Sequence, residues 1–73
     1  MKVLLFGVLA EVTGKKELDM ASGNLADLQH QIQETYPRLA DHSFRFAVNQ
    51  VLVDDAILKE NDEVALLPPF AGG

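Results

Sequence analysis

One apolar stretch near the start of the chain decides the fold: Lys2-Val3-Leu4-Leu5-Phe6-Gly7-Val8. Nearly every position is apolar, which is typical of a strand that has neighbours on both sides rather than of an exposed edge strand. A second such stretch, residues 63–67, lies close to the other end of the chain. This pattern predicts a sheet in which the first and last long strands lie side by side, parallel, at the centre.

The remaining elements are predicted between these two strands. Asn24 with Asp27 three residues later resembles a capping box, so we expect a helix to begin at Leu25, and Pro37 closes it. Period-two patterns predict an edge strand at residues 16–20, a strand with an inward aromatic face at residues 44–49, and a short return strand at residues 51–53. Two turns are expected, at Asn49-Gln50 and at Glu60-Asn61-Asp62, with positive φ at Asn61.

This order of elements, strand-strand-helix-strand-strand-strand, predicts an α+β fold. A single helix of about three turns covers only one face of such a sheet, which is the ubiquitin-like β-grasp layout with a mixed sheet. The alternative is a ferredoxin-like sandwich, which needs two helices where only one strong helical period is visible. Residues 1–73 are expected to form one domain, with residues 68–73 as a projecting tail.

Composition narrows the classes of function. The 73 residues carry a net charge of −5 and no cysteine, so disulfides and thiolate metal sites are excluded and a reduced, cytoplasmic setting is expected. Negative charge makes a nucleic-acid or anionic-membrane role electrostatically costly and favours basic protein surfaces as partners. The N-terminal apolar run is too short to span a bilayer and lacks a cleavage pattern for a signal peptide.

Conventional catalytic signals are missing from the sequence. His30 is predicted on a polar helix face and His42 in a loop, so we interpret both as solvated surface residues and expect no metal site. The acidic pair Asp54-Asp55 is interpreted as a turn rather than a general acid/base pair, because nothing nearby is placed to perturb it. No cofactor is expected to be bound by the chain itself.

The end of the chain stands out instead. A buried strand is followed by Pro68-Pro69, which fix φ and suppress folding back, and then by Phe70, Ala71 and the pair Gly72-Gly73. Glycines without Cβ atoms can extend into a narrow channel, and a terminal carboxylate on Gly73 is sterically open to attack on ATP. Gly-Gly alone is also compatible with an unconstrained chain end.

Parity along the strands predicts an exposed apolar patch. In the first strand, Phe6 lies on the same face as Lys2, and in the last strand Leu67 lies on the same face as Glu63. If Val51 and Val53 face the helix, Leu52 points outward. Phe6, Leu52 and Leu67 are therefore expected to form one patch near the tail, and such patches usually mark interfaces.

Several motifs resemble one known family. Ala47-Val48-Asn49-Gln50, Asn61-Asp62-Glu63-Val64-Ala65, Pro68-Pro69 and Gly72-Gly73 are together similar to the small sulfur-carrier subunit of molybdopterin synthase, the MoaD family within the MoaD/ThiS superfamily. Leu9-Ala10-Glu11 with Gly14 fits the end of its first strand and the following turn. The family usually has valine and a hydroxyl residue where Phe70 and Ala71 stand, which bears on partner fit rather than on chemistry.

The resemblance implies a carrier rather than a self-sufficient catalyst. The Gly73 carboxylate, with Gly72 before it, would be adenylated by an ATP-dependent partner related to ubiquitin-activating enzymes and converted to a thiocarboxylate. The tail would then enter the large synthase subunit and donate sulfur to a cyclic pterin precursor, in molybdenum cofactor biosynthesis. Two alternatives are a thiamine-pathway sulfur carrier, which the Pro68-Pro69 approach disfavours, and a ubiquitin-like protein modifier. The residues implied to contact partners are Phe6, Leu52, Leu67, Pro68, Pro69, Phe70 and Ala71.

Overall fold

Two parallel strands form the centre of the main sheet. The computed structural model describes residues 1–69, and in it β1 (Lys2–Leu5) pairs in parallel with β7 (Glu63–Leu67). Val3 lies opposite Val64 and Leu5 opposite Leu66, and these inward side chains are almost completely buried. The predicted central pair is confirmed.

The other strands extend this sheet on both sides. The remaining strands are β2 (Glu17–Asp19), β3 (Gly23–Asn24), β4 (Arg45–Val48), β5 (Val51–Val53) and β6 (Ile57–Leu58). Strand β2 pairs antiparallel with β1, β4 pairs antiparallel with β7, and β5 pairs antiparallel with β4. Within residues 1–69 the order of the main sheet is therefore β2-β1-β7-β4-β5, and β3 pairs with β6 in a separate two-stranded sheet.

Helix α2 (Leu25–Thr35) packs its apolar face into the core formed by the sheet. Leu25, Leu28 and Ile32, which lie three and four residues apart on one side of the helix, are buried there. Burial of each such side chain contributes roughly 1.5–3 kcal/mol. A 3₁₀ helix (Pro37–Asp41) follows, with Leu39 fully buried. A mixed sheet covered on one face by one main helix is the predicted ubiquitin-like β-grasp fold, which is thereby confirmed.

The start of α2 is fixed by the predicted cap. The backbone N–H of Asp27 donates to Asn24 Oδ1 at 2.8 Å, which satisfies one of the unpaired donors of the first turn. The Asn24 amide in turn donates to Asp27 Oδ2 at 3.0 Å. In a full capping box the acidic side chain accepts from the backbone N–H of the cap residue, so the reciprocal bond here uses the side-chain amide instead.

The first strand is shorter than predicted, and a second helix follows it. Strand β1 ends at Leu5, not Val8, and Val8–Thr13 form helix α1 where the sequence predicted the end of the strand and a turn. Gly7, at φ 58° and ψ −135°, redirects the chain between them, and Leu9 of α1 is fully buried. The expectation of a single helix was therefore wrong. The fold is still not a ferredoxin-like sandwich, because α1 connects two antiparallel neighbours, β1 and β2, instead of crossing between parallel strands.

The turns differ from prediction at one position. Asn49 and Gln50 form the two-residue turn between β4 and β5, with φ of 50° and 71°, the conformation that right-twisted hairpins favour. In the described part of the chain these are the non-glycine residues with positive φ, so the expectation of positive φ at Asn61 was wrong. That turn is closed instead by Asp62, whose Oδ2 accepts from the backbone N–H of Lys59 at 2.8 Å.

Candidate functional site

The sheet face opposite α2 carries a shallow apolar concavity of about 370 Å³. Because side chains alternate along a strand, the residues between the buried positions of β1 and β7 point to this face. Phe6 is 45% exposed, Leu52 is 51% exposed and Leu67 is half-buried. The structure thus brings the three predicted patch residues to one place. The lining residues are Leu4, Phe6, Ala47, Gln50, Leu52, Glu63, Ala65 and Leu67.

Small residues on the central strands make this face concave. Ala47 of β4 lies opposite Ala65 of β7, and Leu52 lies opposite Ala47 on the other side. The two methyl groups leave a floor bordered by larger apolar side chains. An apolar side chain from a partner can therefore enter between them, which is how interface anchors are usually seated.

Strand β5 borders the concavity and is only partly as predicted. Val53 packs against the core, but Val51, expected to face the helix, is 61% exposed. Val51 is exposed because it directly follows the hairpin turn on the outermost strand, at the margin of the core. The outward direction of Leu52 is unaffected.

Asn49, Asp62 and Glu63 form a hydrogen-bonded clasp at the polar end of the concavity. The Asn49 amide donates to Asp62 Oδ1 at 3.0 Å, and Asn49 Oδ1 accepts from the backbone N–H of Glu63 at 3.0 Å. The backbone N–H of Asn49 also donates to the Glu63 carbonyl at 2.8 Å. The hairpin tip is therefore tied to the start of β7, next to the lining residues Gln50 and Glu63.

The clasp stabilises the ionised form of one carboxylate. The backbone N–H of Lys59, then the Asn49 amide, lower the pKa of Asp62 from its usual value of 3.8. Both groups donate to the carboxylate oxygens, and hydrogen bonds to the charged form favour that form. Asp62 therefore acts as an acceptor that closes a turn, in agreement with the interpretation of this acidic segment as structural.

The chain leaves the sheet beside this concavity. Strand β7 ends at Leu67, Pro68 is half-buried and Pro69 is exposed. The predicted tail residues Phe70, Ala71, Gly72 and Gly73 lie outside the described residues, so their roles stay predictions. A separate groove is lined by Val8, Asp41, His42, Ser43, Pro68 and Pro69.

The histidines do not come together. His30 Nε2 lies 3.0 Å from Glu34 Oε1 on the exposed face of α2, whereas His42 follows the 3₁₀ helix. Across residues 1–69, no three His, Cys, Asp or Glu side chains are grouped as metal ligands. In the same part of the chain, no helix has the length and apolar character needed to cross a bilayer.

Sequence reasoning missed Gly7 and helix α1, which lie next to the tail exit. The available signal was the glycine itself, which interrupts an apolar run at the point where the strand ends. Helix α1 has only six residues, too few for a helical period to be distinguished from a buried strand.

This topology defines a ubiquitin-like β-grasp domain whose last central strand leads directly into the C-terminal segment. Residues 3–73 match the ThiS family, and the chain belongs to that family. It is 39% identical over 80 residues to the molybdopterin synthase sulfur carrier subunit of Mycobacterium tuberculosis, covering 100% of this chain and 96% of that protein. It is 40% identical over 81 residues to the protein of the same name from Chlamydomonas reinhardtii, covering 100% and 98%.

A solved structure extends the comparison to another kind of protein. The small archaeal modifier protein 1 from Methanosarcina acetivorans superposes with a TM-score of 0.83 at 26% identity, over 99% of this chain and 94% of that chain. The sequence matches show the family of the chain, and the structural similarity shows its fold.

Proposed function

We propose that this chain is the sulfur carrier of a molybdopterin synthase, with its sulfur carried on the carboxyl group of Gly73. The observation that carries the proposal is the match to the ThiS family, which reaches residue 73, together with relatives of that name at about two-fifths identity over nearly their whole length. The Gly72-Gly73 pair, which the sequence analysis predicts to be the reactive end of the chain, falls within this match.

The chemistry needs activation, because a free carboxylate is a poor electrophile. A Gly73 carboxylate oxygen attacks the α-phosphorus of ATP and pyrophosphate leaves, which gives an acyl-adenylate. Sulfur at the oxidation level of sulfide then attacks the carbonyl carbon, AMP departs, and loss of the sulfur's proton leaves a thiocarboxylate. We propose that an ATP-dependent enzyme related to ubiquitin-activating enzymes catalyses the adenylation, and that both steps occur in the cytoplasm.

The described geometry supports a carrier that docks through its sheet. The apolar concavity lies beside the strand from which the tail leaves, so one partner can contact the face and receive the tail together. We propose the large synthase subunit as that partner, with sulfur passing from the tail to a cyclic pterin precursor held there. Phe6, Leu52 and Leu67 would contact this subunit, and Pro68, Pro69, Phe70 and Ala71 would guide the tail.

Intact-mass spectrometry tests the proposal. The chain is incubated with a candidate activating enzyme, ATP and a sulfur source, and the expected product carries sulfur in place of one carboxyl oxygen. The matched control adds a single alanine after Gly73, which moves the reactive carbon by up to about 3.5 Å where catalytic geometry tolerates about 1 Å. Loading and pterin conversion of the extended chain at the normal rate would contradict the proposal.

A second function is favoured by the structural similarity to a small archaeal modifier protein. A ubiquitin-like modifier would join the same Gly73 carboxyl group to lysine amines as isopeptide bonds. Lysine conjugates recovered from cells, without a thiocarboxylate, would identify a modifier. A thiamine-pathway carrier would form the thiocarboxylate but would fail to convert the pterin precursor with the large synthase subunit.

A further inference from the structure

Gly7 has a backbone conformation that is sterically unfavourable for residues with a side chain. It lies between β1 and α1 at φ 58° and ψ −135°. Residues with a Cβ atom rarely adopt such a conformation, whereas glycine does so at little cost. The turn lets the chain leave the sheet at once and begin α1, whose first backbone bonds include Ala10 N–H to the Gly7 carbonyl at 3.1 Å.

The turn also brings Gly7 against the start of the tail. Strands β1 and β7 are parallel, so their carboxyl ends lie at the same edge of the sheet, and Phe6 N–H donates to the Leu66 carbonyl at 3.2 Å. A Cβ atom placed on Gly7 would lie 3.0 Å from Pro68 Cγ and 3.8 Å from Pro68 Cδ. Carbon atoms pack best at about 3.5–4.0 Å, so the ring occupies space that a side chain at position 7 would need.

Pro68 transmits a displacement to the chain that follows it. Its ring is closed onto its own backbone nitrogen, so the ring can yield only by changing its pucker or by moving the main chain. Val8 and Ser43 line an open groove beside the two prolines, which leaves space for the main chain to shift when the ring is displaced. Pro69 has a fixed φ as well, so only rotation about ψ of the two prolines can absorb a change of direction at Pro68.

We propose that Gly7 is a positioning residue for the reactive tail: its missing side chain provides the seat for the Pro68 ring and so sets the direction in which the chain leaves β7. This inference rests on the proposed function, because it assumes that residues 70–73 must reach a partner's active site. In this proposal Gly7 acts through Pro68 and not by contact with the reacting carboxyl group.

The test compares two glycine variants that both place a Cβ atom at positive φ. Gly14 lies in the left-handed helical region (φ 71°, ψ 15°), which side chains enter at a lower cost than the conformation of Gly7, so the double variant described below measures the contribution of strain. Gly7→Ala adds both strain and the contact with Pro68, whereas Gly14→Ala, at φ 71°, adds strain with no atom within 4 Å of the new Cβ. We expect kcat/KM for adenylation to fall about tenfold in Gly7→Ala and to stay within about twofold in Gly14→Ala, because misplacement of about 1 Å is costly in a catalytic site. Thermal unfolding confirms that both variants are folded. Wild-type kinetics for Gly7→Ala would overturn the proposal.

Removing the ring separates contact from strain. In Gly7→Ala/Pro68→Ala the Cγ and Cδ atoms are gone, so the double variant should be adenylated as fast as Pro68→Ala alone. A further tenfold loss relative to Pro68→Ala would show that strain at position 7 is responsible and would overturn the proposal.

A spectroscopic measurement keeps the inference independent of activity. If the wild-type chain is not adenylated at all, the proposed function fails. The ¹H–¹³C signals of Pro68 and Pro69 still show whether the Pro68 ring is displaced by a side chain at position 7. They should shift in Gly7→Ala and remain in place in Gly14→Ala. Unchanged proline signals in folded Gly7→Ala would overturn the positioning role.

Discussion

At the residue scale, Asp62 shows how one carboxylate ties two turns together. It accepts from Lys59 within its own turn and from the Asn49 amide thirteen residues earlier, at the tip of the β4–β5 hairpin. The hairpin tip, with its two positive-φ residues, is thereby held against the start of β7.

Because of the clasp, the free energy of unfolding should decrease as the solution becomes strongly acidic. The pKa of Asp62 is lower in the folded state than its usual value of 3.8. The ionised carboxylate therefore stabilises the fold above pH 3.8, and this stabilisation is lost as the pH falls through the lowered pKa of the folded state. Asp62→Asn should therefore be less stable than wild type at neutral pH, and the difference should shrink in strong acid. Urea unfolding across this pH range measures it.

A side-chain exchange provides the control for this prediction. In Asn49→Asp/Asp62→Asn, the carboxylate at position 49 accepts from Glu63 N–H and from the amide now at position 62, whose oxygen accepts from Lys59 N–H. The same hydrogen bonds form at the same net charge, so stability at neutral pH should recover relative to Asp62→Asn. An exchanged chain as unstable as the single variant would contradict the clasp.

Gly72 allows the tail to be tested without disturbing the core. Gly72→Val should disable sulfur transfer for steric reasons while the thermal unfolding temperature stays unchanged, because the residue follows the last strand, β7. Transfer kinetics and thermal unfolding are measured on the same preparation. A large loss of stability would instead mean that the tail packs into the domain.

At the scale of single elements, the start of α2 depends on one side chain. Asn24→Ala removes the acceptor for Asp27 N–H and should lower the free energy of unfolding by about 1 kcal/mol. Gln29→Ala, on the exposed face of the same helix, is the matched control and should change stability little, because alanine is the better helix former. Equal losses in the two variants, measured by urea unfolding, would argue against the cap.

At the scale of the whole molecule, the open sheet face is the proposed docking surface. Leu67→Lys should weaken binding to the large synthase subunit by about 2 kcal/mol or more if Leu67 is a central anchor, and Phe6→Lys should also weaken it. Folding stability should change little, because neither side chain belongs to the buried core. Isothermal titration with the purified large subunit measures the affinity.

Ile57→Lys is the matched control for these substitutions. Ile57 is 76% exposed on β6 and does not line the concavity, so replacing it adds the same charge elsewhere on the surface. Its variant should bind like wild type. Wild-type affinity in both Leu67→Lys and Phe6→Lys would show that the sheet face is not the interface. The tail would then be the part of the chain that the large subunit recognises.

The sequence by itself determined which strands are central and which way their side chains point. The two strands that are apolar at nearly every position have neighbouring strands on both edges, and the period of two then assigns Val64 and Leu66 to the core and Leu67 to the open face. The cap at Asn24 and the turn at Asn49-Gln50 were also readable, because each depends on local chemistry.

Only the tertiary structure decided the path between β1 and β2 and the seat of Pro68. A six-residue apolar segment satisfies helix and strand patterns equally, and an isolated helix of that length is unstable in water, so packing of Leu9 into the core selects the helix. The approach of Gly7 to Pro68 joins residues 61 positions apart. It exists because the first and last strands lie side by side, a relation that no local pattern at either position contains.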